Sequence, residues 1–470
     1  MLRKLPRVDD LLAQPLLAEA APEAPRALIR CAARAAIADA RARLRAGAQS
    51  PDISAEVLAA RAADILRRQV APSLRRVINA TGVILHTGLG RAPLAASAGA
   101  ALAEISCGYC NVQVDLESGD RSQREDHVQW LLQELTGAEA ALVVNNNAAA
   151  TVLALNTLAG GREVVLSRGE LVEIGGAFRM PEIMALAGCR LVEVGCTNRT
   201  HLRDYQAAIT PETALLLCVH QSNYRLQGFT SQTPLAEVAT LARAHGIMCA
   251  HDLGSGALLD LRRFGLPHEP TAAESLTAGA DAVFFSGDKL LGGPQCGIIL
   301  GRRKPLQAMH ENPYYRIFRV DKLTLAALEA TLRLFLDAER LPQKHALMSV
   351  LTRPLDEIRV RAQELARRIA ADCGEWLVVE ATPGESQVGG GSLAGHTLPT
   401  FVVSLRPAGS RGGESGLSPG DLAWRLRQGE PPIVARIHED AVLLDLRTVL
   451  PDEDQLVGKA LAAACRALPT

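Results

Sequence analysis

Phe284-Phe285-Ser286-Gly287-Asp288-Lys289-Leu290-Leu291-Gly292-Gly293-Pro294-Gln295 begins as an apolar run and ends abruptly in small and polar residues. A single lysine sits in that turn, and glycines follow it at once. Two readings fit the stretch by itself. In one, a strand-to-loop turn carries a lysine that snorkels to solvent along its aliphatic stem. In the other, a rigid turn holds a lysine for amine catalysis, placed to form a Schiff base with the aldehyde of pyridoxal 5′-phosphate. On the second reading Ser286 hydrogen-bonds the cofactor phosphate.

The surrounding sequence repeats this design. Ala141–Val144, Glu163–Ser167, Arg190–Val194, Leu215–His220, Ile247–Asp252 and Ala282–Ser286 are apolar runs of strand length that end in polar residues. Ala- and Leu-rich helical windows separate them, and Cys296–Leu300 reads as one last strand. Continuous apolar runs alternating with helices predict an α/β fold with a mainly parallel central sheet covered on both faces. Ligands of such sheets bind at the carboxyl ends of the strands, where these polar residues lie.

The flanks differ. Residues 1–75 are rich in Ala, Leu and Arg, and read as a helical N-terminal domain with helices over 31–46 and 55–69. Gly47 and Ser50-Pro51-Asp52 break the two, and Ser54 is placed to cap the second. Residues 1–76 carry 14 Lys and Arg against 8 Asp and Glu, a net +6 that leaves −7 for the remainder of a chain totalling −1. Such asymmetry suits a polyanion partner, or simply a solvated helical face. Residues 76–330 form the expected large domain. A small C-terminal α+β domain is expected over 331–470, after a helix at 321–341 stopped by Pro342. It contains a helix at 354–372, alternating strands, and a loop rich in glycine and serine at 408–420.

With 470 residues, 48% of them hydrophobic and only 3% aromatic, the chain can build two or three cores from Ala, Leu and Val. No apolar run nears the roughly 20 residues of a membrane span, and acids follow the N-terminus before any signal core. Ten scattered cysteines suit a reducing compartment, so a cytoplasmic protein without membrane attachment is expected. Cys107-Gly108-Tyr109-Cys110 has metal-knuckle or redox spacing, but no second pair accompanies it, and no metal site is expected.

Four features converge on the cofactor reading. Lys289 is the first. Asp252, in His251-Asp252-Leu253-Gly254-Ser255-Gly256, is the second; a carboxylate there can keep a pyridine nitrogen protonated. The third is Asn145-Asn146-Asn147 before an alanine-rich helix, where Asn146, Asn147 and the helix N-terminus offer donors to a phosphate. Ser286 is the fourth. Arginine forks suited to a tetrahedral anion are found at Arg91, in Thr81–Leu94, and at Arg316 and Arg319, in Asn312–Arg319.

Together Arg76–Leu94, Leu135–Ala150, Ser167–Gly176, the opening stretch and Leu444–Val449 resemble the bacterial L-seryl-tRNA(Sec) selenium transferases, or selenocysteine synthases. The resemblance implies a fold-type-I pyridoxal phosphate enzyme, an amino-terminal tRNA-binding domain and a ring-shaped homodecamer. It implies conversion of seryl-tRNA(Sec) to selenocysteinyl-tRNA(Sec), with selenophosphate as donor, through a cofactor-bound aminoacrylyl-tRNA intermediate. It places the cofactor lysine at Lys289, a catalytic aspartate at Asp288, and the grip on the selenium donor at Arg91, Arg316 and Arg319. Lys289 would move the Cα proton; either Lys289 or Asp288 would protonate the departing hydroxide. His251 and Cys110 depart from the pattern. The alternative is a small-molecule β-eliminating lyase or desulfurase of the same fold, which gives no reason for a basic 1–75 segment.

Overall fold

In the computed structural model of the chain, residues 4–46, 52–176, 178–408 and 417–466 are described. Gly47, Ser50 and Pro51, expected to separate the first helices, and 409–416 of the expected 408–420 loop lie outside them. The chain forms two compact units, Met1–Arg76 and Val77–Thr470.

The first unit is helical. Its long helices are Arg26–Arg45 and Ala55–Val70; the second keeps the expected bounds to within a residue, whereas the first begins five residues before the expected 31. Ala32, Ala33, Ala36, Ile37 and Ala40 recur at helical spacing and are buried with Ala59, Ala62, Ala63 and Leu66. Ser54 Oγ accepts from Val57 N–H at 3.4 Å and caps the second helix, as its position predicts. Arg34, Arg41, Arg43 and Arg45 are exposed. Of these, Arg43 pairs with Asp39 at 2.9 Å.

In the second unit the strands of the larger sheet run Ala140–Val144, Gly297–Gly301, Ala282–Ser286, Met248–Gly254, Thr213–Val219, Glu163–Ser167 and Arg190–Val194, from one edge to the other. Gly297–Gly301 is antiparallel to both neighbours, and every other pairing is parallel. Successive side chains enter opposite cores. Val283, Phe285, Ile298 and Leu300 join one, whereas Ala282, Phe284 and Ile299 join the other. Burial on both faces is why these strands read as unbroken apolar runs.

A smaller sheet orders Ile78–Ala80, Ile433–His438, Ala441–Asp445, Thr397–Pro407 and Leu377–Gln387. All its pairings are antiparallel except that of Ile78–Ala80 with Ile433–Ala435. A segment near residue 80 therefore belongs to the C-terminal sheet, before the large sheet begins. The α/β architecture with a mainly parallel sheet, a helical N-terminal part and a small α+β part is as the sequence leads one to expect.

One helix differs. The 321–341 pattern resolves into Lys322–Phe335, a 3-10 turn at Ala338–Arg340 and a short helix Leu341–Lys344. Pro342 opens the last of these instead of stopping the first, because the first turn of a helix needs no proline N–H. The buried Phe335 and Leu341 carry the apolar pattern across the break.

Candidate active site

Lys289 follows the Ala282–Ser286 strand and is only 3% exposed. The turn bearing it is tied from several sides. Gly287 N–H donates to Cys296 O at 2.9 Å, Leu290 N–H to Ser255 O at 3.0 Å, and Gly293 N–H to Gly287 O at 2.8 Å. Gly292, at φ 65°, lies so close to His345 that a Cβ would come within 2.2 Å of its ring. His345 Nδ1 accepts from Met348 N–H at 3.2 Å, which puts the ring proton on Nε2 to donate to Leu291 O at 2.9 Å. Burial pulls the Lys289 ammonium below its ordinary pKa, and the charge of Arg91 adds to this; Asp252 and Asp288 oppose it.

Asp252 is buried near the end of the Met248–Gly254 strand. Asn147 Nδ2 donates to it at 2.9 Å and the Thr151 hydroxyl at 3.3 Å. Burial nonetheless pushes its carboxyl up to about 6. Asn146 Oδ1 accepts from Ala149 N–H at 2.8 Å and caps the Asn147–Ala159 helix. The N-terminus of that helix opens on a cleft of about 230 Å³ lined by Asn146, Asn147, Ser286, Lys289, Asp288 and Arg91. Asn147 Oδ1 and Ser255 Oγ are buried without a hydrogen-bond partner. The Lys289 amine, the Asp288 carboxyl, and a helix N-terminus with a serine hydroxyl thus meet around one space, and Asp252 stands behind the lining, bonded to Asn147.

Arg91 enters this cleft from a tight turn. Gly90 has φ 88° and Arg91 itself has φ 60°, a left-handed conformation that costs energy for a residue with a Cβ. Its guanidinium bonds the Asp288 carboxylate. Arg316 and Arg319 do not line the cleft. They are exposed, on and just after the helix Pro313–Ile317, and neither forms an ion pair among the described residues. Arg124 joins them: its pKa is lowered by burial and by the charges of Arg319 and Arg316. The expected arginine set is therefore divided within one chain.

Several participants escaped the sequence reading. Thr151, one helical turn beyond Asn147, could have been inferred from that spacing. His345 lies 56 residues beyond Lys289 and carries no local signal. The run Gly389-Gly390-Gly391 was visible as a cluster, but only the fold brings it to Lys289. Cys107 and Cys110 are free thiols, and no metal-holding cluster is present among the described residues. No described helix is long and apolar enough to cross a membrane.

The chain resembles the solved D-glucosaminate-6-phosphate ammonia-lyase with a TM-score of 0.56 and 23% identity, covering 85% of this chain and 98% of that one. That likeness concerns the fold. At the sequence level, the chain is 47% identical over 465 residues to the L-seryl-tRNA(Sec) selenium transferase of Moorella thermoacetica, covering 99% of this chain and 97% of the relative. Identity to the enzymes of the same name is 48% for Solidesulfovibrio magneticus (94% and 93% covered) and 45% for Geobacter sulfurreducens (97% and 98% covered). Residues 2–41 match the family described as selenocysteine synthase N terminal. Residues 77–450 match L-seryl-tRNA selenium transferase, and the chain belongs to that family.

Proposed function

We propose that this chain converts L-seryl-tRNA(Sec) to L-selenocysteinyl-tRNA(Sec), using selenophosphate and pyridoxal 5′-phosphate. One observation carries the reading: a buried lysine amine shares a cleft with Asp288 and Arg91 in a chain 47% identical to a named selenium transferase over 99% of its length.

The residues of the cleft fit the cofactor. Lys289 Nζ is the amine that would hold its aldehyde, and Asp252 the partner for its ring nitrogen. Asn146, Asn147, Ser286 and the backbone N–H groups of the Asn147–Ala159 helix would receive its phosphate. The partnerless Asn147 Oδ1 gives the cleft wall a buried polar atom with unmet bonding capacity. Bound there, the cofactor supplies a ring that withdraws electrons from an attached amino acid and acidifies its Cα–H.

The protein's own groups supply the rest. Lys289, with its pKa lowered by burial, is suited to take the Cα proton at Nζ. Hydroxide leaves poorly, and Asp288, adjacent to Lys289, is placed with it to deliver the proton that the departing oxygen needs. Arg91 grips the anionic selenium donor, with Arg316 and Arg319 as further anion contacts. The basic Met1–Arg76 unit takes the tRNA. Self-association as a homodecamer and a cytoplasmic location complete the proposal.

The lyase and desulfurase alternatives have less support. A desulfurase needs a reactive thiol, whereas Cys296, the cysteine lining the cleft, is fully buried, and burial pushes its thiol well above the ordinary value. Incubating the purified protein with pyridoxal 5′-phosphate, seryl-tRNA(Sec) and selenophosphate tests the proposal. Selenocysteinyl-tRNA is the expected product; pyruvate and ammonia formed from added free L-serine, with seryl-tRNA(Sec) left unconverted, would support a lyase instead.

A further inference from the structure

A second pocket, of about 280 Å³, opens beside the carboxyl ends of Thr213–Val219 and Met248–Gly254. It shares no lining residue with the Lys289 cleft. Its walls include His220, Gln221, Tyr224, Arg225, Gln232 and His396. Resting on the functional reading above, we infer that this pocket receives the 3′-terminal adenosine of the aminoacyl-tRNA.

The loop Gly389–His396 links the pocket to the chemistry. Gly389, Gly390 and Gly391 have φ of 72°, 61° and 75°, a succession of left-handed residues that glycine alone adopts without strain. A Cβ on Gly391 would stand 3.2 Å from Lys289 Nζ and 3.4 Å from Ser222 Oγ. Further along, Leu393 N–H donates to Glu269 Oε2 at 3.3 Å, and Glu269 Oε1 holds His220 Nε2 at 3.1 Å. Ala394 and His396 then form part of the pocket wall. From Gly391 to Ala394 is three peptide steps, at most about 11 Å. An ester, a ribose and a glycosidic bond, at about 1.5 Å per bond, span a comparable distance. A seryl group at Lys289 would place its nucleoside in this pocket.

The lining has the chemistry for a nucleobase. Tyr224, His220 and His396 present planar rings on which a base can stack. Gln232 makes no hydrogen bond within the chain among the described residues, and a carboxamide pairs with both the donor and the acceptor on one edge of adenine. Arg225 has no ion-pair partner among the described residues and suits the phosphate that precedes the terminal nucleoside. The buried Glu170 carboxyl lines the floor; burial raises it to about 7, so it can donate as well as accept. The cleft lining holds no arginine but Arg91, which pairs with Asp288 and keeps its remaining donors for the selenium donor. A free amino acid carboxylate thus lacks a clamp, whereas an ester meets a small glycine backbone.

The test compares two probes on the full-length, cofactor-loaded protein by calorimetry: 3′-(L-serylamino)-3′-deoxyadenosine and L-serinamide. The adenosine probe is expected to bind at least about tenfold more tightly, a gain of about 1.4 kcal/mol. Its cytidine counterpart should bind no better than serinamide. Gln232→Trp, which fills the pocket, should erase the advantage of the adenosine probe and raise KM for seryl-tRNA(Sec). It should leave serinamide affinity and the cofactor spectrum unchanged. His396→Ala, a milder change at a half-buried position, should lose part of the same advantage. Equal binding of the two probes by a protein that turns over seryl-tRNA(Sec) would overturn the subsite alone. So would an undiminished adenosine advantage in Gln232→Trp. A protein that converts no seryl-tRNA(Sec) at all would overturn the functional reading, and the inference with it.

Discussion

Arg91 holds Asp288 through one guanidinium nitrogen: Nη1 lies 2.9 Å from one carboxylate oxygen and 2.8 Å from the other. Neither Nε nor Nη2 takes part, so donors of the planar fork remain for an anion. The pair keeps an acid beside Lys289 and a positive charge beside the acid. A selenophosphate at Arg91 would bind through these remaining donors while Nη1 stays on Asp288.

Arg91→Ala should therefore raise KM for selenophosphate by at least about tenfold, since a charge-assisted bond of about 1.5–3 kcal/mol is lost. Arg91→Lys should recover only part of this, because an ammonium is a point charge without the fork. Saturation curves against selenophosphate at fixed seryl-tRNA(Sec) measure it. An unchanged KM in Arg91→Ala rules out the anion-binding role.

Asp252→Asn should separate stability from function. In the fold this carboxyl is raised from 3.8 to about 6 by burial. The unfolded chain gives up its proton first, so the wild-type apoprotein bears no penalty below about pH 4, an increasing one up to about pH 6, and a constant one above. At pH 8 the cofactor-free Asn variant should be more stable than cofactor-free wild type by about 2–3 kcal/mol, and at pH 4 the two should converge. Asparagine still accepts from Asn147 Nδ2, so the local bonds survive. Turnover should fall by orders of magnitude because the ring-nitrogen partner is gone. Calorimetric melts at both pH values, with a turnover assay, check the two halves independently.

His345→Ala should loosen the lysine turn. The change removes the donor to Leu291 O and the cap on Met348 N–H, and leaves space under Gly292. A loss of about 2–4 kcal/mol is expected from unsatisfied groups and the cavity. Cofactor affinity should weaken along with it. His345→Gln, which keeps a donor and an acceptor, should recover part of both. Equilibrium unfolding and cofactor titration distinguish this from a purely global effect: a stability loss with unchanged cofactor affinity would show that the turn does not depend on the histidine.

Much of this was readable in advance where the signal was local. Asp252 lies near the end of its strand, Ser286 ends another, and Lys289 follows in a turn, because a doubly covered parallel sheet forces function to strand ends. The helix start after Asn145-Asn146-Asn147 was legible from the asparagine run before the alanines, and the structure shows Asn146 as its cap. What could not be read was set by the fold. The Arg91–Asp288 pair joins residues 197 apart. Arg316 and Arg319 looked equivalent to Arg91 as arginines near glycine- or aromatic-rich turns, yet the chain path puts them beside Arg124 instead. Ile78–Ala80 gave no hint of its sheet because three residues hold no period, and their partner strand lies over 350 positions away. The helix at 321–341 was overread because apolar spacing continued through a break that only backbone geometry reveals.

Removing residues 1–76 should abolish tRNA binding while sparing the cofactor site. The Lys289 cleft is lined entirely by residues of the Val77–Thr470 unit. The truncated protein should retain the cofactor absorbance band and lose the gel shift with tRNA(Sec). Full tRNA affinity in the truncated protein would refute the role of the basic helices.

Lys289 is proposed as the group that holds the cofactor and moves the Cα proton. The most direct measurement is selenocysteinyl-tRNA(Sec) formed from seryl-tRNA(Sec) and selenophosphate by wild-type protein and by Lys289→Ala, both supplied with pyridoxal 5′-phosphate. Product from the wild type and none from the variant is the predicted result; selenocysteinyl-tRNA(Sec) made by Lys289→Ala at a rate near that of the wild type would contradict it.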